Sequence, residues 1–453
     1  MPSQVGQLYR AVWRWHFYAG VFVIPFLLIL SLSGLLMLLA KPLEPLLYQG
    51  LVSVQPGEEK RPATALLAVV RDQYPGAQVQ LYIPPRKASE SARFSLLMGG
   101  TTEHAGHDEP SQTVYLNPYS GEILGALDPT TTLYARLKTF HGTIFLGDVG
   151  DTLLEVAAGL SVLVVLSGLF LAWARGGLKL SLPRRHLLDR REGWRLLHRA
   201  IGLVIALPLL FFLISGLAWT NVWGGKLVQP WSSLPGTSFD APKDHRTHDS
   251  MNQEGLHQVP WTMEQTPLPV SVSAEHTYDL DAILQIAKRH GFINFRVHFP
   301  RDDSSVWTVS ATTIAGDLTT PSAERTLHID PSNGQVLADL RFTDYPALGK
   351  AMAAFIPLHQ GDLGFWNFLL NLLLVTSVIT LIIAGIALWW IRLPPLGSKL
   401  TPPTASPTTS RVVLVVMLVV SICFPLSAAA LALAILFDWL LISRVNRWRA
   451  AVK

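Results

Sequence analysis

The sequence predicts an α-helical integral membrane protein with two parallel span–domain–span repeats, each repeat carrying a small α+β domain outside the membrane. Three observations predict it. Mean hydropathy is +0.33 and only 15% of the 453 residues are charged. Apolar runs at 17–40, 151–173, 199–222 and 365–391 are long enough to cross a bilayer at about 1.5 Å per residue. The stretches 138–173 and 358–390 follow one plan. Each passes from a His through Gly-Asp-x-Gly (Gly147-Asp148-Val149-Gly150; Gly361-Asp362-Leu363-Gly364) to a Gly step (Ser167-Gly168; Ala384-Gly385) and a Trp.

Taken in order, residues 1–40 hold the N-terminus and first span. Its apolar run is too long for the 7–15 residue core of a signal peptide. Residues 41–137 form the first outside domain, with a helix predicted at Thr64–Tyr74 and strands at Gln78–Ile83, Arg93–Met98 and Thr113–Leu116. A hairpin turns at Asn117-Pro118-Tyr119-Ser120-Gly121, where Pro fixes φ and Gly accepts positive φ. The second span segment covers 138–174. The loop 175–197 is strongly basic: seven Arg and Lys over 174–197 face only Asp189 and Glu192, which places it in the cytoplasm.

The third span segment is 198–223, and 224–350 is the second outside domain. Its first part, 229–270, reads as loop. Its second part repeats the earlier pattern, with a helix at Asp281–Arg289, strands near Phe295–Phe299 and Val306–Ala311, and a hairpin at Leu327–Leu337. The fourth span segment, 351–391, returns to a cytoplasmic loop, 392–410. The C-terminal segment 411–453 holds an apolar run with Pro425 at its middle and a basic tail; one kinked helix and a hairpin both fit. Both repeats start from the same side, so the N-terminus is cytoplasmic.

Composition excludes several classes. The single Cys423 rules out internal disulfides and Cys-ligated zinc or iron–sulfur sites. No CxxCH, GxGxxG or GxxxxGK[ST] occurs. No basic stripe interleaved with aromatics points to nucleic acid.

Trp13-Arg14-Trp15-His16 is answered by Trp194-Arg195-Leu196-Leu197-His198, Gly20 by Gly202, and Ser33-Gly34 by Ser215-Gly216. With His141-Gly142, His359-Gln360-Gly361 and the N/D-P-x-x-G hairpins, this pattern resembles the PepSY-associated transmembrane family over about 8–391. That family includes iron-regulated inner-membrane proteins and ferric-siderophore reductases of the FoxB type. The resemblance implies PepSY-like outside domains, a bacterial inner-membrane location, haem b held by histidines, and electron delivery to ferric siderophores or other ferric chelates outside.

Of fourteen His, four flank spans: His16 and His198 at the cytoplasmic ends, His141 and His359 at the outside ends. Interfacial residues satisfied by water are the bland alternative, weakened by the fourfold placement. Each bis-His iron needs two imidazoles, so four make two haem b sites. Depth pairs His16 with His198 and His141 with His359. Zinc fits poorly without Cys or acidic partners. Arg14, Arg195 and Arg199 are candidates for haem propionates, or serve simple positive-inside topology. Gly20, Gly34, Gly202 and Gly216 admit either a macrocycle or a neighbouring helix. His104, His107, His245 and His248 read as solvated loop residues.

Without a nicotinamide or flavin motif, the donor is a cytoplasmic partner or a membrane quinol. A second reading is a PepSY-bearing, membrane-anchored binding or regulatory protein without redox activity; a third is a transporter. Reporter fusions at Gly125 and Arg185 test the topology. Opposite signals are expected, and the same signal at both sites rejects it.

Overall fold

The apolar run at the N-terminus folds as one helix, α1 (Gln4–Leu47), which is longer at both ends than 17–40. This computed structural model describes residues 4–99, 111–174, 190–252, 258–271, 273, 277–391, 415, 417, 419 and 422–437. Residues 175–189 of the basic loop, His104, His107, the 392–410 loop and the basic tail lie outside them, whereas 190–197 of that loop are helical and begin the third span eight residues earlier than expected. The chain packs as two compact units. One comprises Met1–Leu36, Phe140–Val228 and Leu369–Lys453; the other comprises Met37–Thr139 and Gln229–Phe368.

In the first unit, four helices are long and apolar enough to cross a membrane, among the described residues. They are α1, α5 (Gly147–Ala174), α6 (Arg190–Leu217) and α10 (Phe365–Ile391). Ala158, Val162, Ile205, Leu209, Leu213, Leu374, Val378 and Ile382 bury against one another between them. A further helix, α11 (Pro425–Phe437), starts at Pro425 after a turn at Ile422–Phe424. Proline is favourable at a first helical position, where its missing N–H has no partner to lose. The C-terminal run therefore breaks at its proline. Gly159 of α5 meets Ser427 and Phe424 of this last segment, where a Cβ would collide. Ser427 closes the contact by donating to the carbonyl of Val156 at 3.0 Å.

The spans carrying His141 and His359 are not continuous rods from the histidine onward, as the 138–174 and 351–391 segments implied. His141 lies on a short helix, α4 (Leu133–Thr143), separated from α5 by Ile144 (φ 47°) and Phe145 (φ 58°). Left-handed backbone is unusual for non-glycine residues and strained for a β-branched one. His359 lies in the last turn of α9 (Ala347–Gln360), which Gly361 caps at φ 82° before α10 begins. The Gly-Asp-x-Gly motif thus marks a helix break. Gly150 is needed because a Cβ there would strike the carbonyl of Thr143. In the other copy Asp362 pairs with Lys41 of α1 at 2.6 Å.

The second unit contains one antiparallel sheet of eight strands in the order β10-β9-β8-β7-β1-β2-β3-β4. The strands β1 (Gln78–Ile83), β2 (Ala92–Leu97), β3 (Ser111–Leu116) and β4 (Ile123–Leu127) form one meander. The strands β7 (Arg296–His298), β8 (Trp307–Ala311), β9 (Arg325–Ile329) and β10 (Val336–Arg341) form another. Each follows a helix, α3 (Ala63–Gln73) or α8 (Leu280–Arg289). The two outside domains expected from the sequence share this sheet, joined where Leu81 and Tyr82 pair with His298 and Val297. Period-two alternation sends Phe94, Leu96, Val114, Leu116, Val297, Val309 and Leu327 to one face, under Leu66, Val70, Ile283 and Ile286 of the helices. At about 1.5–3 kcal/mol per fully buried large apolar side chain, this shared core dominates the unit's stability.

The stretch 229–270, expected as loop, forms regular structure among its described residues and packs on the other face of the second meander. It contributes α7 (Gln229–Ser232), a two-stranded sheet of β5 (Lys243–Thr247) and β6 (Pro267–Pro269), and short 3₁₀ turns. Its Pro- and His-rich composition concealed a role that is polar: Gln258 accepts from Arg296 of β7, and His248, itself held by the carbonyl of Thr266, meets His328 of β9.

The two helices are also tied through a cap. Helix α3 begins after Pro62, which offers no side-chain acceptor. Asp281 of α8 supplies it, accepting from the amides of Ala63 (2.8 Å) and Thr64 (3.0 Å) and from the Thr64 hydroxyl. Asp281→Ala should destabilise the protein by about 1–3 kcal/mol, and Asp281→Asn by less. Thermal unfolding of the detergent-solubilised protein checks this; an unchanged midpoint for Asp281→Ala would show that the cap is dispensable.

Candidate functional site

Three of the four flanking histidines sit in the first unit, and each is held in the same way. His16 on α1 has Nδ1 3.1 Å from the carbonyl of Val164 and 3.0 Å from the hydroxyl of Ser167, both on α5. His198 on α6 has Nδ1 3.2 Å from the carbonyl of Leu381 on α10. His141 on α4 has Nδ1 2.8 Å from the hydroxyl of Ser33 on α1, with the carbonyl of Leu30 also in reach.

These contacts settle the tautomer. A carbonyl only accepts, so Nδ1 of His16 and His198 carries the proton. The Ser33 hydroxyl donates its hydrogen to the carbonyl of Ile29 at 2.7 Å, so it accepts from His141. In each ring Nε2 therefore keeps its lone pair. No protein group is bonded to it among the described residues, and all three side chains are half-buried. Metal-ligating histidines usually have their other nitrogen tied to a carbonyl or carboxylate in this way.

The glycines explain how the rings fit. A Cβ on Gly168 would stand 3.1 Å from Cε1 of His16, one on Gly34 3.4 Å from Cε1 of His141, and one on Gly385 3.5 Å from Cε1 of His198. In each case the carbonyl in reach belongs to the residue four positions earlier: Val164, Leu30 and Leu381. One turn of helix thus presents an exposed carbonyl and a gap beside it. Of the glycines singled out in the sequence, Gly34 has this role, Gly202 packs against Leu381, and Gly20 has nothing within 4 Å.

His16 and His198 lie close enough for charge on one ring to act on the other. On α1, the stretch from His16 to Ser33 spans roughly 26 Å, so the His16 and His141 rings occupy separate levels of the unit. The helix break at Ile144 interrupts the run from His141 to Trp173, so it is the continuous α1 that sets this separation. His359 belongs to the second unit, in the last turn of α9. Arg14 stacks over the ring of Tyr18 at 5.8 Å, and Arg195 pairs with Glu192 on its own helix. Arg199 is half-buried one position after His198.

An acid inside a span invites a functional reading, yet here it serves the backbone. Glu155 of α5 is 3% exposed and accepts from the amides of Val222 and Trp223, both at 3.2 Å. Asp151 accepts from Asn221 at 3.0 Å. They cap the π-helical turn Asn221–Val228 that follows α6, whose first amides lack partners of their own.

Two histidines expected in solvent part company. His245 is exposed, but His248 is fully buried. His248 Nε2 meets His328 Nε2 at 3.0 Å, and His328 Nδ1 meets the Thr308 hydroxyl at 2.9 Å. Burial lowers His248 to about 4 and holds His328 well below the usual histidine range. The row is neutral near pH 7. Among the described residues, no group of three or more His, Cys, Asp or Glu converges as a metal set.

Four membrane-length helices, with imidazoles anchored between them, define a multi-pass membrane protein carrying potential ligand histidines at helix–helix contacts. The chain belongs to the family described as the PepSY-associated TM region, which matches residues 13–392. No curated protein matches the sequence significantly.

Gly168→Val should push His16 away from Val164 and destabilise the membrane unit by about 1–3 kcal/mol, the usual range for overpacking. Gly20→Ala should stay within about 0.5 kcal/mol. Thermal unfolding in detergent compares them; equal midpoints would mean that the ring is not seated against Gly168.

Proposed function

We propose that this protein is a di-haem b oxidoreductase of the inner membrane that reduces ferric siderophores or similar ferric chelates on the periplasmic side. The observation that carries the reading is the shared seat of His16, His198 and His141: Nδ1–H on a facing carbonyl or serine, Nε2 free, a glycine beneath the ring. The residues fit an axial-ligand role, because imidazoles so fixed present one basic nitrogen in a set direction.

His16 and His198 would hold one haem at the cytoplasmic level, and the sequence repeat assigns a second to His141 and His359. Bound haem supplies one-electron transfer. Ser167 and the carbonyls of Val164 and Leu381 keep the tautomer and make the rings better donors. Arg14, Arg195 and Arg199, near the first pair in sequence, are the propionate candidates. Electrons come from a cytoplasmic donor or a membrane quinol. The substrate iron passes from Fe(III) to Fe(II), which binds hard chelate oxygens less tightly, so reduction favours release. The regulatory reading needs none of the histidine seats.

Protein made with ample haem should contain about two non-covalent b-type haems by pyridine haemochrome assay. His16→Ala and His198→Ala should each remove about half, and the double variant no more than either. His141→Ala or His359→Ala should remove the other half, and all four should abolish reduction of an external ferric chelate. Absence of haem in the wild type would end the redox reading. Additive losses in His16→Ala/His198→Ala would end the pairing.

A further inference from the structure

The buried polar face of the eight-stranded sheet contains a pocket with donors it does not use. It lies where β1 meets β7, lined by Gln80, His298, Arg301, Thr308 and the Arg246–Asp244 ion pair, with a volume of about 40 Å³. Such a space takes roughly three waters, or a group the size of a carboxylate or phosphate.

Three observations define what it suits. His298 is 5% exposed, and its Nε2 is buried with no hydrogen-bond partner among the described residues. A buried polar atom left unsatisfied costs about 1–3 kcal/mol. Arg301 makes no ion pair among the described residues and spends one N–H on the carbonyl of Ser250. A guanidinium has five donors and no acceptor, so most of its fork is unspent. The adjacent Asp302 is committed to Ser304, Ser305 and Arg246, and its side chain is 44% exposed. Arg246 is already satisfied by Asp244 and Asp302. The unused capacity is thus one guanidinium fork and one imidazole nitrogen on the same small cavity, both able to donate. A cation would meet Arg301 unfavourably, and an apolar group would leave both donors unpaired.

We propose that this pocket is a binding subsite for a small oxyanion, a carboxylate or phosphate group on a soluble ligand, held by Arg301 and His298. A planar or tetrahedral oxyanion offers paired oxygens to the Arg301 fork and accepts from Nε2 of His298. Its position on β7, at the junction of the two meanders, means that an occupant bridges them. The proposal is independent of haem binding.

The test is isothermal titration of the full-length, detergent-solubilised protein with acetate, citrate and phosphate at constant ionic strength, with chloride as control. Saturable binding of at least one oxyanion, and none of chloride, is expected; carboxylates alone or phosphate alone identifies the chemistry. Arg301→Gln should weaken binding at least tenfold, and Arg301→Lys less, since the charge survives but the fork does not. If Arg301→Gln fails to accumulate, His298→Asn carries the same test, with binding weakened severalfold. No oxyanion binding by the wild type, or wild-type binding in both Arg301→Gln and His298→Asn, overturns the proposal.

Discussion

The membrane unit depends on one contact repeated: an imidazole N–H donating to an oxygen of a neighbouring helix, beside a glycine. In a helix interior every carbonyl already accepts from the amide four residues on, yet its second lone pair is free. A side chain at the position of Gly168 or Gly385 would shield that oxygen. Glycine uncovers it, at the usual cost of about 1 kcal/mol in helix propensity. Membrane burial makes that acceptable, because a helix in an apolar surrounding has no water to compete for its backbone bonds. The same glycine brings the ring into van der Waals contact, so the bond is oriented as well as formed. Serine adds a second oxygen at His16 and is the direct acceptor at His141.

The second unit obeys a different constraint. Each meander alone has a helix-covered apolar face, a polar face and an exposed first strand. Pairing Leu81 with His298 removes two edges at once, and unpaired edges are aggregation sites. The polar faces then form one surface, and described residues of 229–270 pack on its β7–β9 part. Asp317 ties that arrangement across the junction, accepting from Arg296 (2.8 Å) of one meander's strand and from Arg86 (2.6 Å) after the other's first strand. Burying such groups is favourable only when nearly all are paired, which makes the unpaired His298 informative.

Much of this was legible in the chain. Strand β1 and span α10 fall on the predicted residues because period-two alternation and a long apolar run bounded by polar residues are local signals. The histidines stood out because titratable groups beside spans are costly. What lay beyond sequence was non-local. Backbone carbonyls such as Val164 and Leu381 have no signature in residue type. The burial of His248 depends on a sheet face assembled from strands 50 to 80 residues further on, while its own surroundings in the chain read as polar loop. The breaks at Ile144 and Gly361 were partly announced by Gly-Asp-x-Gly, but glycine inside an apolar pattern signals packing as readily as a stop.

Helix α1 gives the histidine levels their spacing. It carries His16 near one end and Ser33, the acceptor for His141, about five turns later. Pro25 lies between them, and the helix continues through it. Proline removes one backbone bond there, a loss that neighbouring helices can compensate within a membrane. A single helix so used couples the two seats mechanically: rotating α1 to free His16 from Val164 also turns Ser33 away from His141. Replacing Ser33 alone touches only one seat. The two levels are therefore separable by side-chain substitution but linked through the backbone, and this makes α1, more than any individual ligand, the element whose geometry the redox reading requires.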